Sequence, residues 1–256
     1  MSRRAPRRFT VIAPFVVIVC LVFFWWAITA FSGIQAWRLP SPYAVLARGH
    51  SLVQQPSLWL AFARTGVEAL VGGFIGVCVA LPLSYLIFRF RTIAEAIEPL
   101  LGTSQALPAV ALAPFLVLWF GYGVIPISML CALIAFFPIL ISSLVGLRSL
   151  DRQVCEAAQL DGAAGITMAL KIEIPLASPA ILAGIRNGFT LSITGAVVGE
   201  MVMGGKGLGM LLSQMRTNVD TAGMFVVIVL LCIQAVVIYT LMSAWEKRSR
   251  LMVETD

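Results

Sequence analysis

Residues 156–175 read Glu156-Ala157-Ala158-Gln159-Leu160-Asp161-Gly162, then nine residues, then Ile172-Glu173-Ile174-Pro175. The segment is polar, and long apolar runs flank it on both sides. Asp151 reads as the N-cap of a short helix running to about Leu160. Gly162 permits a sharp turn. A second helix is expected over about 165–173, with Pro175 as its stop. Ala157 and Ala158 are small enough to let another surface approach closely, and Glu156 offers a charge to orient it. The stretch therefore reads as a helical hairpin in water, set between segments that are not in water.

Working outward, composition explains those flanks. Hydrophobic residues make up 60% of the 256 and charged residues 12%, where soluble domains carry roughly 25% charged. Mean hydropathy is +0.96. Such a chain has lipid as its solvent. A spanning helix needs about 20 apolar residues, and six runs qualify: about 11–31, 62–88, 99–119, 124–147, 179–203 and 221–245. The expected fold is all-α, one transmembrane domain over 1–256, with a loop at 148–178 between spans four and five. Ser2-Arg-Arg-Ala-Pro-Arg-Arg8 precedes a run too long for a signal-peptide core, with no small-x-small cleavage site after it, so the first helix is expected to be retained.

Basic residues give the orientation. With both termini inside, the inner segments hold twelve of the 18: Arg3, Arg4, Arg7, Arg8, Arg89, Arg91, Arg148, Arg152, Lys171, Lys247, Arg248 and Arg250. The outer segments hold four: Arg38, Arg48, Lys206 and Arg216. Arg64 and Arg186 fall within spans or at their edges. Positive charge thus favours the inside by three to one, and the 148–178 loop falls in the cytoplasm. Topology accounts for the net charge of +6. Nucleic acid is not needed as a partner, and membrane lipid is the expected contact of the basic flanks.

The spaced pattern of 156–175 resembles the coupling loop of permease subunits in ATP-binding-cassette (ABC) importers: Glu-Ala-Ala, three residues, Gly, nine residues, Ile-x-Leu-Pro. Ile174 stands in place of the Leu. The likeness extends from about Leu39 to Trp245. Leu39-Pro-Ser-Pro42, Ala111-Leu-Ala-Pro114 with Leu118-Trp-Phe-Gly121, Phe136-Phe-Pro138, Gly146-Leu147, Val197-Val-Gly-Glu-Met201 and Gly207-Leu-Gly209 are similar, in order, to the subfamily importing nitrate, sulfonates, taurine and pyrimidine-type vitamin precursors. Two places depart from it. Gln105-Ala-Leu-Pro108 replaces a common Arg-Pro-x-Pro, and Glu68 stands where members often carry a basic residue.

The resemblance implies a multi-pass protein of the bacterial cytoplasmic (inner) membrane. It implies a second permease subunit, as a homodimer, two ATPase subunits and an extracytoplasmic solute-binding protein. ATP and Mg would sit on the ATPase, with no cofactor on this chain. Glu156, Ala157, Ala158, Gly162, Ile172 and Pro175 would couple to the ATPase. Solute would cross at the permease dimer interface by alternating access. Glu68 and Glu200 are candidates for the solute path, since charge at membrane depth faces protein or water, and Gln105 is a third because the resemblance puts its segment where solute could pass. A negative Glu68 favours a neutral or zwitterionic organic solute over a simple anion, by like-charge repulsion.

Other features have simpler readings. Gly72, Gly76, Ala80 and Ser84 recur every four residues and give one helix face for close packing. The five cysteines include no metal-ligand spacing. Gly204-Gly-Lys-Gly-Leu-Gly209 lacks the P-loop pattern and follows a span on the outer side. His50 is the one histidine, and no catalytic set appears, so a membrane-integral enzyme is the alternative with least support. An ion-coupled transporter, the other alternative, would need no ATPase-docking loop.

Overall fold

A computed structural model describes residues 7–104 and 108–253, and within them there are helices and no strands. In chain order the helices are α1 (Arg7–Phe31), α2 (Pro42–Val53), α3 (Pro56–Arg89) and α4 (Arg91–Ser104). A 3₁₀ turn (Ala109–Leu112) leads into α5 (Ala113–Phe120) and α6 (Val124–Arg148). Next come α7 (Arg152–Leu160), α8 (Gly165–Met168), a π turn (Ala169–Glu173) and α9 (Ile174–Met203), followed by α10 (Leu208–Thr217) and α11 (Thr221–Val253).

Among the described residues, four helical stretches are long and apolar enough to cross a membrane: Pro56–Arg89, Val124–Arg148, Gly165–Met203 and Thr221–Glu246. They coincide with the second, fourth, fifth and sixth runs of the sequence. The third run, 99–119, is not one helix. Helix α4 ends at Ser104, and Pro108 sits extended at φ −63°, ψ 110° before the 3₁₀ turn that begins at Ala109. Gln105 lies outside the described residues.

Two compact units are formed, Met1–Trp59 with Leu212–Leu230, and Leu60–Leu211 with Leu231–Asp256. In the first, Ser41 caps α2 by accepting from Ala44 N–H at 3.2 Å. Trp25 stacks on Phe225 at 5.3 Å and donates to the Pro40 carbonyl at 3.1 Å. Arg48 holds Asp220 Oδ2 through both Nε, at 2.8 Å, and Nη2, at 2.6 Å.

The second unit is built around α6. Buried Ile127, Leu130, Ala135, Ile139 and Leu140 form its centre. Helix α9 lies against α6 along Gly184, Gly188, Gly195 and Gly199, where added side chains would strike Ser142, Ile139, Cys131 and Ile127. Small residues let helices approach until backbones touch, and that contact replaces the hydrophobic drive that lipid cannot supply. On α3, Gly72 faces the Ser128 carbonyl, and Gly76 faces Ala132 and Ala135. Ala80 and Ser84, on the same face, are buried. The small-residue face of α3 is thus turned on α6 of its own chain.

Pro175 does not stop a helix. The stretch Gly165–Met203 is helical throughout. The Ile174 N–H bonds the Ala169 carbonyl, five residues back, and Pro175 opens the α segment that follows. A proline lacks a donor and clashes with the carbonyl four residues back. One wider turn just before it accommodates both faults.

Candidate functional site

Helix α7 begins where Asp151 accepts from Gln153 N–H at 2.9 Å and ends at Leu160. Gly162 then takes φ +89°, a left-handed backbone conformation that glycine adopts without cost. Glu156, Ala157 and Gly162 are exposed, and Ala158, Ile172 and Pro175 are half-buried. Glu156 is held by Arg152, one turn earlier, at 2.6 Å. Leu160 is 90% exposed, Ile166 77% and Leu170 61%. A polar segment that presents three large aliphatic side chains this fully has an apolar surface to cover. Sequence reading passed over these three. Their signal was an aliphatic residue at intervals of four to six along an otherwise polar stretch.

The base of this segment is tied to α3. Glu173, buried, accepts from the Tyr85 hydroxyl at 2.9 Å. Tyr85, Arg89, Gln159, Gly165, Met168 and Glu173 line a recess of about 310 Å³ there. Arg148, at the end of α6, pairs with Glu98 of α4. The segment is therefore connected to α3 through a hydrogen bond, and to α9 through continuous helix. Neither Tyr85 nor Glu173 stood out in sequence; the lone acid between Ile172 and Ile174 was the available signal. Burial, with Glu173, Asp151 and Glu156 adding to it, pushes the Cys155 thiol above its usual range, so it is a protonated, poor nucleophile at neutral pH.

Glu200 and Glu68 lie far from this segment. On α3, Arg64 and Tyr85 are 21 residues apart, about 32 Å at 1.5 Å per residue, close to the ~30 Å hydrocarbon core. Glu200 is fully buried. Its Oε1 accepts from the Thr65 hydroxyl at 2.6 Å, and its Oε2 from Gly209 N–H. Thr65 Oγ1 in turn accepts from Leu208 N–H at 2.8 Å. Residues 204–209 wrap this carboxylate so closely that a side chain at Gly207 would collide with both Glu200 and Thr65. The glycines that resemble nothing catalytic in sequence are there to bring backbone donors onto Glu200. Glu200 thus joins α3, α9 and α10, and both its oxygens are occupied within the chain.

Glu68 is also fully buried. Its Oε1 meets Arg64 Nε at 3.3 Å, and its Oε2 has no donor. It lines a recess of about 300 Å³ with Arg64, Tyr122, Gly123, Gly204 and Lys206. Of the three residues expected on the solute path, Glu68 lines this recess, Glu200 is held by Thr65 and Gly209, and Gln105 is outside the described residues. Arg186, at the other end of α9, pairs with Glu246 of α11 at 2.8 Å and stacks over the Tyr239 ring at 5.1 Å.

Comparison with known proteins fits this arrangement. Residues 72–251 match the family described as "Binding-protein-dependent transport system inner membrane component". The chain is 38% identical to the riboflavin transport system permease protein of Chloroflexus aurantiacus, over 91% of this chain and 87% of that one. It is 33% identical to the formylaminopyrimidine transport permease protein of Halalkalibacterium halodurans, over 80% and 82%. Its fold superposes on a chain of the inward-facing MetNI methionine ABC transporter with TM-score 0.69 and 20% identity, over 77% of this chain and 99% of that one. With the family matched across residues 72–251 and relatives above 30% identity along most of its length, this protein belongs to the inner-membrane permease components of binding-protein-dependent ABC importers.

Proposed function

We propose that this chain is one of two identical permease subunits in an ATP-driven importer for a small polar nutrient. It crosses the membrane six times, with α1 and the broken α4–α5 stretch added to the four long spans, and both termini are cytoplasmic. The 148–178 loop docks on an ATPase subunit, and an extracytoplasmic binding protein delivers solute. ATP binding opens the path outward and hydrolysis resets it. The observation that carries this reading is the 148–178 segment. It has the spaced family pattern, a rigid capped helix, a glycine turn, and exposed Leu160, Ile166 and Leu170 on an otherwise polar surface.

The relatives named for riboflavin and formylaminopyrimidine transport favour a nitrogen heterocycle as solute. A heterocycle with N–H donors suits the buried Glu68 carboxyl, whose Oε2 has no hydrogen-bond partner, in a way that nitrate, which has no donor, does not. Impermeant thiol labelling in intact cells, with the five native cysteines replaced, tests the placement of the loop. Ser57→Cys is expected to react and Ser149→Cys to stay unreacted until the membrane is opened. The reverse pattern would put the loop outside, away from ATP, and end the coupling reading.

A further inference from the structure

We propose that the recess at the Arg64–Glu68 end of α3 is a solute subsite. It would take a small molecule that presents an N–H donor or ammonium group to the Glu68 carboxylate and an acceptor or anionic group to Arg64 and Lys206. The proposal rests on the permease reading above and adds to it the polarity of the solute.

The buried cluster is short of donors. Glu68 is fully buried, yet its Oε2 has no hydrogen-bond partner, and Arg64 reaches Oε1 at 3.3 Å. Charge-assisted bonds between guanidinium and carboxylate ordinarily close to about 2.7–2.9 Å. The Glu200 carboxyl is the acidic neighbour of Glu68. Glu200 itself is already supplied by Thr65 and Gly209. Glu68 is therefore left with one guanidinium at long range, on Oε1 alone. A buried carboxylate oxygen without a donor is rare in folded proteins and costly where it occurs. A ligand N–H supplies what the chain does not.

The rim has the opposite polarity. Lys206 is exposed and makes no ion pair among the described residues. The Arg64 side chain is 38% exposed, leaving part of its donor fork facing the recess. The order from inside out is carboxylate, guanidinium, ammonium, which matches a ligand with its donor inward and its acceptor outward. The volume, about 300 Å³, is at the lower end of small-molecule sites. Gly204 and Gly123, at φ +75° and +132°, carry no side chains into the space.

The test uses the intact complex with its ATPase and binding protein, in a cysteine-free background carrying Tyr122→Cys. Tyr122 lines the recess and is 81% exposed, so its replacement reports access. Labelling by an impermeant maleimide is measured against taurine, methanesulfonate and ethylammonium at matched ionic strength. Taurine joins both end groups in one small molecule. Its half-protecting concentration is expected to be about tenfold below that of either single-ended probe, the factor one net charge-assisted hydrogen bond supplies. Glu68→Gln, which keeps the shape of the side chain, should erase that advantage, and Lys206→Met, in an exposed turn, should reduce it. Equal protection by taurine and methanesulfonate would overturn the proposal, as would an advantage that survives Glu68→Gln. Protection by the binding protein alone, with no effect of any small probe, would overturn it too and make a protein side chain the occupant. ATP-driven uptake by the same complex reports the permease reading separately, so the two can fail independently.

Discussion

Gly162→Trp is expected to cut ATP-driven uptake severely while leaving the chain in the membrane at normal abundance. Gly162 holds φ +89°, a conformation that costs any other residue roughly 1–2 kcal/mol. No neighbouring atom lies within 4 Å of where its side chain would start, so the chain alone does not exclude an indole there. A docked ATPase would. The expected loss is about 10- to 100-fold in uptake, the range a coupling free energy of 1–3 kcal/mol commands, with the ATPase lost from the purified complex. Gly162→Ala separates backbone strain from bulk and should retain most of the activity. Normal co-purification together with normal uptake in Gly162→Trp would show that this turn does not face the ATPase.

Gly72→Ala is expected to cost much more stability than the same change at Gly76 or Gly102. The new Cβ would stand 2.5 Å from the Ser128 carbonyl oxygen and 3.0 Å from Ala132 N. Both are α6 backbone and cannot rotate away. Overpacking of this kind costs about 3 kcal/mol, the upper end of the usual range. Gly76→Ala meets Ala135 Cβ at 3.2 Å and the Ala132 carbonyl at 3.3 Å, contacts a small shift relieves, so about 1 kcal/mol is expected. Gly102→Ala on α4 meets nothing within 4 Å and should be neutral or stabilising by up to ~1 kcal/mol. Thermal midpoints in detergent should follow the order Gly102→Ala, Gly76→Ala, Gly72→Ala from highest to lowest. A Gly72→Ala protein as stable as the wild type would mean that α3 and α6 do not pack as described.

The parts of the fold legible in sequence were those set by local chemistry. Apolar runs gave α3, α6, α9 and α11, because a lipid-facing helix must be apolar over its length wherever it sits. Asp151 gave the start of α7, and Gly162 the turn after Leu160, because capping and left-handed turns depend on one residue each. What escaped depended on partners distant in sequence. Pro175 read as a stop because its compensation, one π turn at Ala169–Glu173, is a backbone adjustment that no residue type announces. The third run read as one helix because apolar composition continues across Pro108.

The candidate site shows the same division. Glu68 and Glu200 were both marked as charges at membrane depth, but their roles separate only when Thr65 and the 204–209 turn are brought to Glu200 from opposite ends of the sequence. The α9 glycines at 184, 188, 195 and 199 follow a spacing of four, seven and four. That pattern is present in the sequence, but its two pairs read as one packing face only when α6 is laid against them.

The central claim is that ATP hydrolysis on a partner drives solute through this chain by way of the 148–178 loop. The direct measurement is reconstitution of the chain in proteoliposomes with its ATPase inside and its binding protein outside, following accumulation of the solute the binding protein retains. The account predicts uptake only when ATP is enclosed and binding protein is present, and its severe reduction in Gly162→Trp. Uptake driven by an ion gradient with no ATP, or ATP-driven uptake indifferent to Gly162→Trp, would contradict it.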